Sequence, residues 1–254
     1  MTDTPLPPLP ERVAVFADIH GNADALVAVL GDADMRGVEA MIDLGDMFSG
    51  PLAARETADI LATLEMYHLI GNHDEALLDA DNRTLSPSDA TADMELGGWH
   101  KEWMATMPAT LDFGDVFACH GTPTSNVTYW AERAAYGTLL LRDMAEIEAE
   151  AGDLPHRVFL CAHSHQPRLT KLSGGRLLVN PGSVGCPAYR DGNHASETGK
   201  PHARYALLTR RADGEYEAEL IAVPYDASRM IEMAQLRNEP DWVSALETGR
   251  VALL

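Results

Sequence analysis

The 254 residues suffice for one large domain with a proper core, and an apolar share of 46% is that of a globular chain rather than a disordered one. Acidic residues outnumber basic ones 39 to 19, for a formal net charge of −20. That balance disfavours lasting contact with nucleic-acid backbones, which needs clustered Lys and Arg, but it leaves small anionic phosphates open because bound cations reverse the potential inside a cleft.

Residues 1–10 are proline-rich without an apolar core, and read as an extended arm rather than a signal peptide. No apolar run approaches the roughly 20 residues needed to span a bilayer. Cys119, Cys161 and Cys186 form no C-x-x-C pair, so reduced thiols in the cytoplasm are the expectation.

The run 12–17 (RVAVFA) has the signature of a buried strand. Over 23–35, Ala25, Leu26, Val29 and Leu30 recur at helical spacing, and Gly37 ends that helix. A second strand over 38–44 runs into Gly45-Asp46, and Pro51 opens a helix over 52–64. A third strand, 66–70, delivers Gly71-Asn72-His73-Asp74. Strand, loop and helix repeated in this way predict βαβ units, an α/β fold with functional residues at strand C-terminal ends.

Residues 75–108 break the pattern: Ser86-Pro87-Ser88-Asp89 is turn chemistry, and 91–107 reads as helical with Gly97-Gly98 interrupting it. This helical insertion either caps the cleft or is an ordinary packed excursion. Strands over 110–113 and 116–119 flank a Gly114-Asp115 turn, and the second leads into His120. A long helix is expected over 130–151, then a strand over 157–162 delivering His163-Ser164-His165. Short strands over 168–172 and 176–179 lead to Asn180-Pro181-Gly182-Ser183, a structural turn beside the site. A hairpin over 204–210 and 215–223, turning at Asp213-Gly214, and closing helices over 226–237 and 242–246 complete 11–254 as one domain.

Five segments thus end in candidate metal ligands. Residues i and i+2 of an extended backbone project to one side, which would turn Asp18 with His20, and His163 with His165, toward one place. Mixed carboxylate, imidazole and amide donors suit Mn²⁺, Fe or Zn²⁺ better than Ca²⁺. Two cations about 3.5–4 Å apart need a bridging carboxylate, and Asp46 is the natural one.

Asp18-Ile19-His20-Gly21-Asn22, Gly45-Asp46, Gly71-Asn72-His73-Asp74, His120-Gly121-Thr122 and His163-Ser164-His165 together resemble the ordered motifs of the calcineurin-like metallophosphoesterases, over residues 13–183. The resemblance implies a four-layer α/β/β/α sandwich with two divalent metals, Mn²⁺ foremost, with Fe, Zn²⁺ or Ni²⁺ as alternatives. It implies that Asp18, His20, Asp46 and His165 hold one metal, and Asp46, Asn72, His120 and His163 the other. His73 would contact the substrate phosphate and protonate the leaving oxygen, with Asp74 orienting it, and a metal-bound hydroxide would attack.

Two departures carry information. Ala162 stands where the last motif usually has glycine, and Met47-Phe48-Ser49-Gly50-Pro51 lacks the Asp-Arg-Gly by which protein serine/threonine phosphatases resemble one another. The chain therefore resembles the bacterial and archaeal small phosphoesterases and phosphodiesterases, with a small phosphomonoester or phosphodiester as substrate and neither membrane nor stable nucleic acid as partner. A dinucleoside polyphosphate or protein phosphatase, and a non-catalytic scaffold such as the retromer subunit of this fold, are the alternatives. Arg190 is either a phosphate clamp or a surface arginine. No feature of the sequence specifies an oligomeric state.

Overall fold

The computed structural model describes residues 5–252. Its first third runs β1 (Arg12–Phe16), α1 (Ala23–Met35), β2 (Ala40–Asp43), α2 (Ala54–Leu61) and β3 (Tyr67–His68), two βαβ units whose strands pair in parallel. Helices α3 (Asn72–Leu78), α4 (Pro87–Glu95) and α5 (Gly98–Met104) follow. The expected helix over 91–107 is broken between Glu95 and Gly98, where Gly97 and His100 start a new turn of helix.

The next part runs β4 (Thr110–Asp112), β5 (Val116–Cys119), β6 (Glu132–Ala135), β7 (Thr138–Leu141), α6 (Met144–Ala151), β8 (Val158–Leu160), β9 (Arg168–Lys171) and β10 (Leu177–Asn180). The chain closes with β11 (Ala188–Asp191), β12 (His194–Glu197), β13 (Ala203–Arg210), β14 (Tyr216–Val223), α7 (Ser228–Leu236) and α8 (Pro240–Thr248). No helix of the described residues is long and apolar enough to cross a membrane.

Two five-stranded sheets lie face to face, ordered β14-β13-β1-β2-β3 and β4-β5-β8-β10-β9. In the first, the parallel strands β1, β2 and β3 run out to one edge with antiparallel β13 and β14 on the other side; in the second, parallel β5, β8 and β10 are flanked by antiparallel β4 and β9. Side-chain alternation sorts the layers. Val13 and Val15 pack between the sheets with Val116, Ala118, Val158 and Leu160. Their neighbours Ala14 and Phe16 turn outward to Leu26, Val29 and Leu61. Phe117, Phe159 and Cys161 turn the other way to Trp130 and Ile147. The result is the four-layer α/β/β/α sandwich. Arm residues add to it: Leu9 is buried between the sheets, and the Leu6 N–H donates to the Asp112 carbonyl at 2.6 Å. Residues 1–4 of the predicted arm lie outside the described residues.

The long helix expected over 130–151 is instead a β6–β7 hairpin followed by the short α6. Ala135 pairs with Thr138 across Tyr136-Gly137, both at positive φ, the two-residue turn that suits strand twist. Helical spacing there masked the Gly137 signal. This hairpin joins β11 and β12 in a third, four-stranded sheet.

Candidate metal centre

The parallel strands of both sheets end at one edge. There β1 delivers Asp18 and His20, β2 Asp46, β3 Asn72, β5 His120, and β8 His163 and His165. The extended i, i+2 geometry expected at these loops is not what turns the ligands inward. Asp18, His20, Asp46, His163 and His165 all adopt left-handed backbone, with φ between 50° and 67°, and are five of the seven non-glycine residues to do so among those described. Such conformations cost on the order of 1–3 kcal/mol each and persist only where surroundings enforce them. Here neighbouring loops do so. The N–H groups of Asp18, His20 and Gly21 donate to Gly45, Asp46 and Met47 carbonyls at 2.9–3.0 Å. From β10, the Ser183 hydroxyl donates to the Asp18 carbonyl at 2.7 Å, the structural role expected of that turn.

Gly45 and Gly71 let the second and third loops touch. A Cβ on Gly71 would stand 2.1 Å from Asp46 Oδ1, and one on Gly45 would stand 2.4 Å from the Gly71 nitrogen. Asp74 ties the same two loops together. Its buried carboxylate accepts the N–H groups of Asp46 (2.7 Å), Met47 (3.1 Å) and Gly71 (3.1 Å). Burial and the nearby Asp46 charge push it up to about 7 against those donors.

The donors converge in two groups, Asp18 with His20 and His165, and Asp46 with His120 and His163; within each, ligand atoms lie within 4.8 Å of one another. Three imidazoles are committed at Nδ1: His20 to the Ser49 carbonyl (2.9 Å), His120 to Leu44 (2.7 Å) and His165 to Cys186 (2.7 Å). Donating there leaves the Nε2 of His20 and of His165 as inward lone pairs, and turns the Nε2 of His120 inward beside Asp46. His20 Nε2 and His165 Nε2 then face each other at 3.2 Å, with Asp18 Oδ1 3.5 Å from His165 Nε2. Both Asp18 carboxylate oxygens are buried without a hydrogen-bond partner. Lone pairs so arranged repel unless a cation sits among them, so this donor set fits a divalent ion.

The second group fits as well. Asp46 Oδ2 lies 3.1 Å from His120 Nε2. The Asn72 amide with its oxygen inward faces His120 Nε2 at 3.1 Å, a donor while that ring is protonated, and His163 Nδ1 at 2.9 Å, acceptor against acceptor. A cation reconciles that orientation; turned around, the amide would donate to the same nitrogens.

Electrostatics follow the geometry. Burial drives His20 down to about 4, and burial with the His120 charge drives His163 to about 3, so both are neutral donors. Burial raises the Asp18 carboxyl well above its usual range. For His120 burial is outweighed by Asp46, which pushes it up to about 10.

His73 lies at the cleft, its ring edge-on to His20 with centroids 5.6 Å apart. Its orientation corrects the sequence reading. Asp74 has spent both oxygens on backbone, and the His73 Nδ1 instead meets Asp89 Oδ1 at 3.1 Å. Burial would depress this imidazole, but the Asp46 charge and the Asp89 bond push it up to about 9. Asp89 was visible only as part of a turn; the Ser86-x-x-Asp89 spacing ahead of α4 was the available capping signal.

The cleft above these residues holds about 570 Å³ and is lined further by Ser86, Asp89, Tyr129, Tyr189, Arg190 and Trp242. Arg190 is held by Asp241 (3.2 Å) and the Ala252 carbonyl (2.8 Å). A wider, flatter hollow of about 830 Å³ runs from Leu9 to Gly214 at the N-terminal end of β1, away from every ligand. Cys119, Cys161 and Cys186 are buried, free, and pushed up by burial, as inert packing thiols are.

A model of the calcineurin-like phosphoesterase superfamily domain matches residues 12–198. The chain belongs to that superfamily. It is 26% identical over 255 residues to an uncharacterized protein of Methanocaldococcus jannaschii, covering 91% of this chain and 95% of the relative. The fold is shared with a metallophosphoesterase from Sphaerobacter thermophilus (TM-score 0.72, 22% identity, 94% of this chain and 99% of that one). It is shared also with a hypothetical protein from Pyrococcus horikoshii (TM-score 0.70, 22% identity, 95% and 99%). As a calcineurin-like phosphoesterase, the protein is a metal-dependent phosphoesterase, and its two His and Asp groups are where divalent ions fit.

Proposed function

We propose that the protein hydrolyses a small phosphomonoester or phosphodiester, a nucleotide among the candidates, with two divalent metals and water. The observation that carries this reading is the pair of buried Asp and His clusters at the base of one cleft, with His73 beside them. Asp18, His20, Asp46 and His165 would hold one ion; Asp46, Asn72, His120 and His163 the other. Manganese suits this oxygen and imidazole set best, with iron, zinc or nickel next. When bound, the ions supply Lewis acidity to the phosphoryl oxygens and acidify the attacking water.

The chain's own residues do the rest. Asp46, whose Oδ2 lies 3.1 Å from His120 Nε2, would serve both sites. His73, charged at neutral pH, binds a phosphoryl oxygen and gives its proton to the leaving oxygen. Asp74 holds the Asp46 and Gly71 loops in register. The cleft has one Arg or Lys among its described lining residues, Arg190, and Asp241 already engages it. Its other charged walls are Asp89, Asp191, Glu239 and Asp241, which favours a substrate with a single phosphate over a polyphosphate or nucleic acid. Free thiols favour a cytoplasmic location. Residues 11–254 act as one unit, with 75–108 forming part of the cleft.

The test is hydrolysis of aryl phosphate and bis-aryl phosphate with added Mn²⁺, alongside the metal content of the purified protein. Stimulated turnover that Asp46→Asn abolishes is expected. Turnover unaffected by Asp46→Asn would refute the reading, and a metal-poor protein inert on the whole panel would favour the scaffold alternative.

A further inference from the structure

We infer that Asp89, brought in by the helical insertion, is the positioning residue that aims the His73 imidazole at the leaving oxygen. This rests on the reading of His73 as proton donor. The carboxylate is fixed at both oxygens: Oδ1 meets His73 Nδ1 at 3.1 Å, and Oδ2 accepts the Ser86 hydroxyl at 2.8 Å. Ser86 Oγ in turn accepts the Asp89 N–H at 3.0 Å as the N-cap of α4, and Asp89 is only 7% exposed. The Ser86 hydroxyl thereby satisfies one free N–H at the helix start and fixes one carboxylate oxygen of Asp89. Here its carboxylate has a second use, because one oxygen remains for the imidazole.

The hold on His73 therefore traces to the packing of α4. Ala92 and Leu96 are buried in the core against the first sheet, and Glu95 pairs with Arg237 at the end of α7. Asp74, next to His73 in sequence, is excluded by its three backbone bonds. With Nδ1–H given to Asp89, Nε2 is the nitrogen that carries the mobile proton. As the phosphorus–oxygen bond breaks, its electron pair stays on the leaving oxygen and the Nε2 proton joins it. Water supplies the new oxygen on phosphorus and releases its proton to solvent, and His73 is then reprotonated from solvent. Asp89 stays ionised throughout, offsetting the imidazolium.

The test measures kcat for two phosphoesters that differ only in leaving group, a nitrophenyl ester and an alkyl ester, on the Mn²⁺-loaded full chain with metal content checked. Only the alkoxide needs a proton to leave. His73→Ala should raise the aryl-to-alkyl ratio about 100-fold, Asp89→Asn about tenfold, and Ser86→Ala about threefold, with Asp89→Glu recovering part of the loss. Equal losses on both esters, or none, in Asp89→Asn and Ser86→Ala overturn the inference. Should Asp89→Asn fail to fold, the Ser86→Ala ratio decides by the same criterion. A ratio unmoved in His73→Ala strikes the proposed proton donor itself, whereas one moved there but not in Asp89→Asn strikes only the role of Asp89.

Discussion

The floor and the rim of the cleft are built on different principles. The candidate ligands of the floor sit in loops where the backbone itself is specified, by left-handed φ values, by the Gly45–Gly71 contact and by N–H groups clasped on Asp74. The rim is made by side chains of α4, α8 and β11 meeting across space, as in Arg190–Asp241 and the Trp242 ring lying over Gly50. Backbone geometry tolerates little adjustment, whereas side chains on separate elements can shift independently. Errors in the floor should be all-or-none and errors in the rim graded.

The sharpest test of that contrast is Asp46→Asn, which should lower turnover about 10³-fold or more, the scale of losing a group that stabilises developing charge, and lower bound metal per chain. Loss of activity with full metal occupancy would separate its charge from its ligand role. Next comes Gly71→Ala, whose Cβ would collide with Asp46 Oδ1. Overpacking there should cost about 1–3 kcal/mol in urea unfolding together with metal binding, and a variant of ordinary stability and occupancy would show the loop contact to be pliable.

Removal of metal by a chelator should lower the melting temperature and added Mn²⁺ restore it, with about 2.7 kcal/mol at stake when free metal is 100-fold above Kd. The sign of its pH dependence follows from His120. Raised to about 10, this imidazole holds a proton that a cation must displace, so affinity weakens as pH falls and binding releases protons. Calorimetry in buffers of different ionisation enthalpy reads that release directly. The smallest effect belongs to the rim: Trp242→Ala should raise KM about 2–10-fold, the scale of one aromatic contact, with a lesser change in kcat. A Trp242→Ala defect as large as that of Asp46→Asn would erase the distinction between floor and rim.

The floor was legible in sequence because each knot follows a short apolar run of strand character. Val13 and Val15 against Ala14 and Phe16 announce a strand buried on both faces, and Asp18 follows within two residues. The rim was less so. Trp242 lies outside the motifs, and Asp89 reaches His73 from 16 residues away through a helix cap. The β6–β7 hairpin escaped because Ala, Glu, Arg and Leu over 131–142 satisfy a helical pattern, whereas pairing of the two strands with each other, extended by one pair to β12, makes them a sheet.

By itself the sequence determined the strands that precede the knots, the donor types and their spacing, because local periodicity and turn chemistry fix where each of those strands stops and which side chain follows. The tertiary structure alone decided which nitrogen of each imidazole faces inward, since that depends on distant carbonyls at Leu44, Ser49 and Cys186. It alone gave His73 its partner. Asp74 was the neighbour along the chain, but its oxygens were needed for backbone N–H groups that only loop packing brings together, and Asp89 met the imidazole through space.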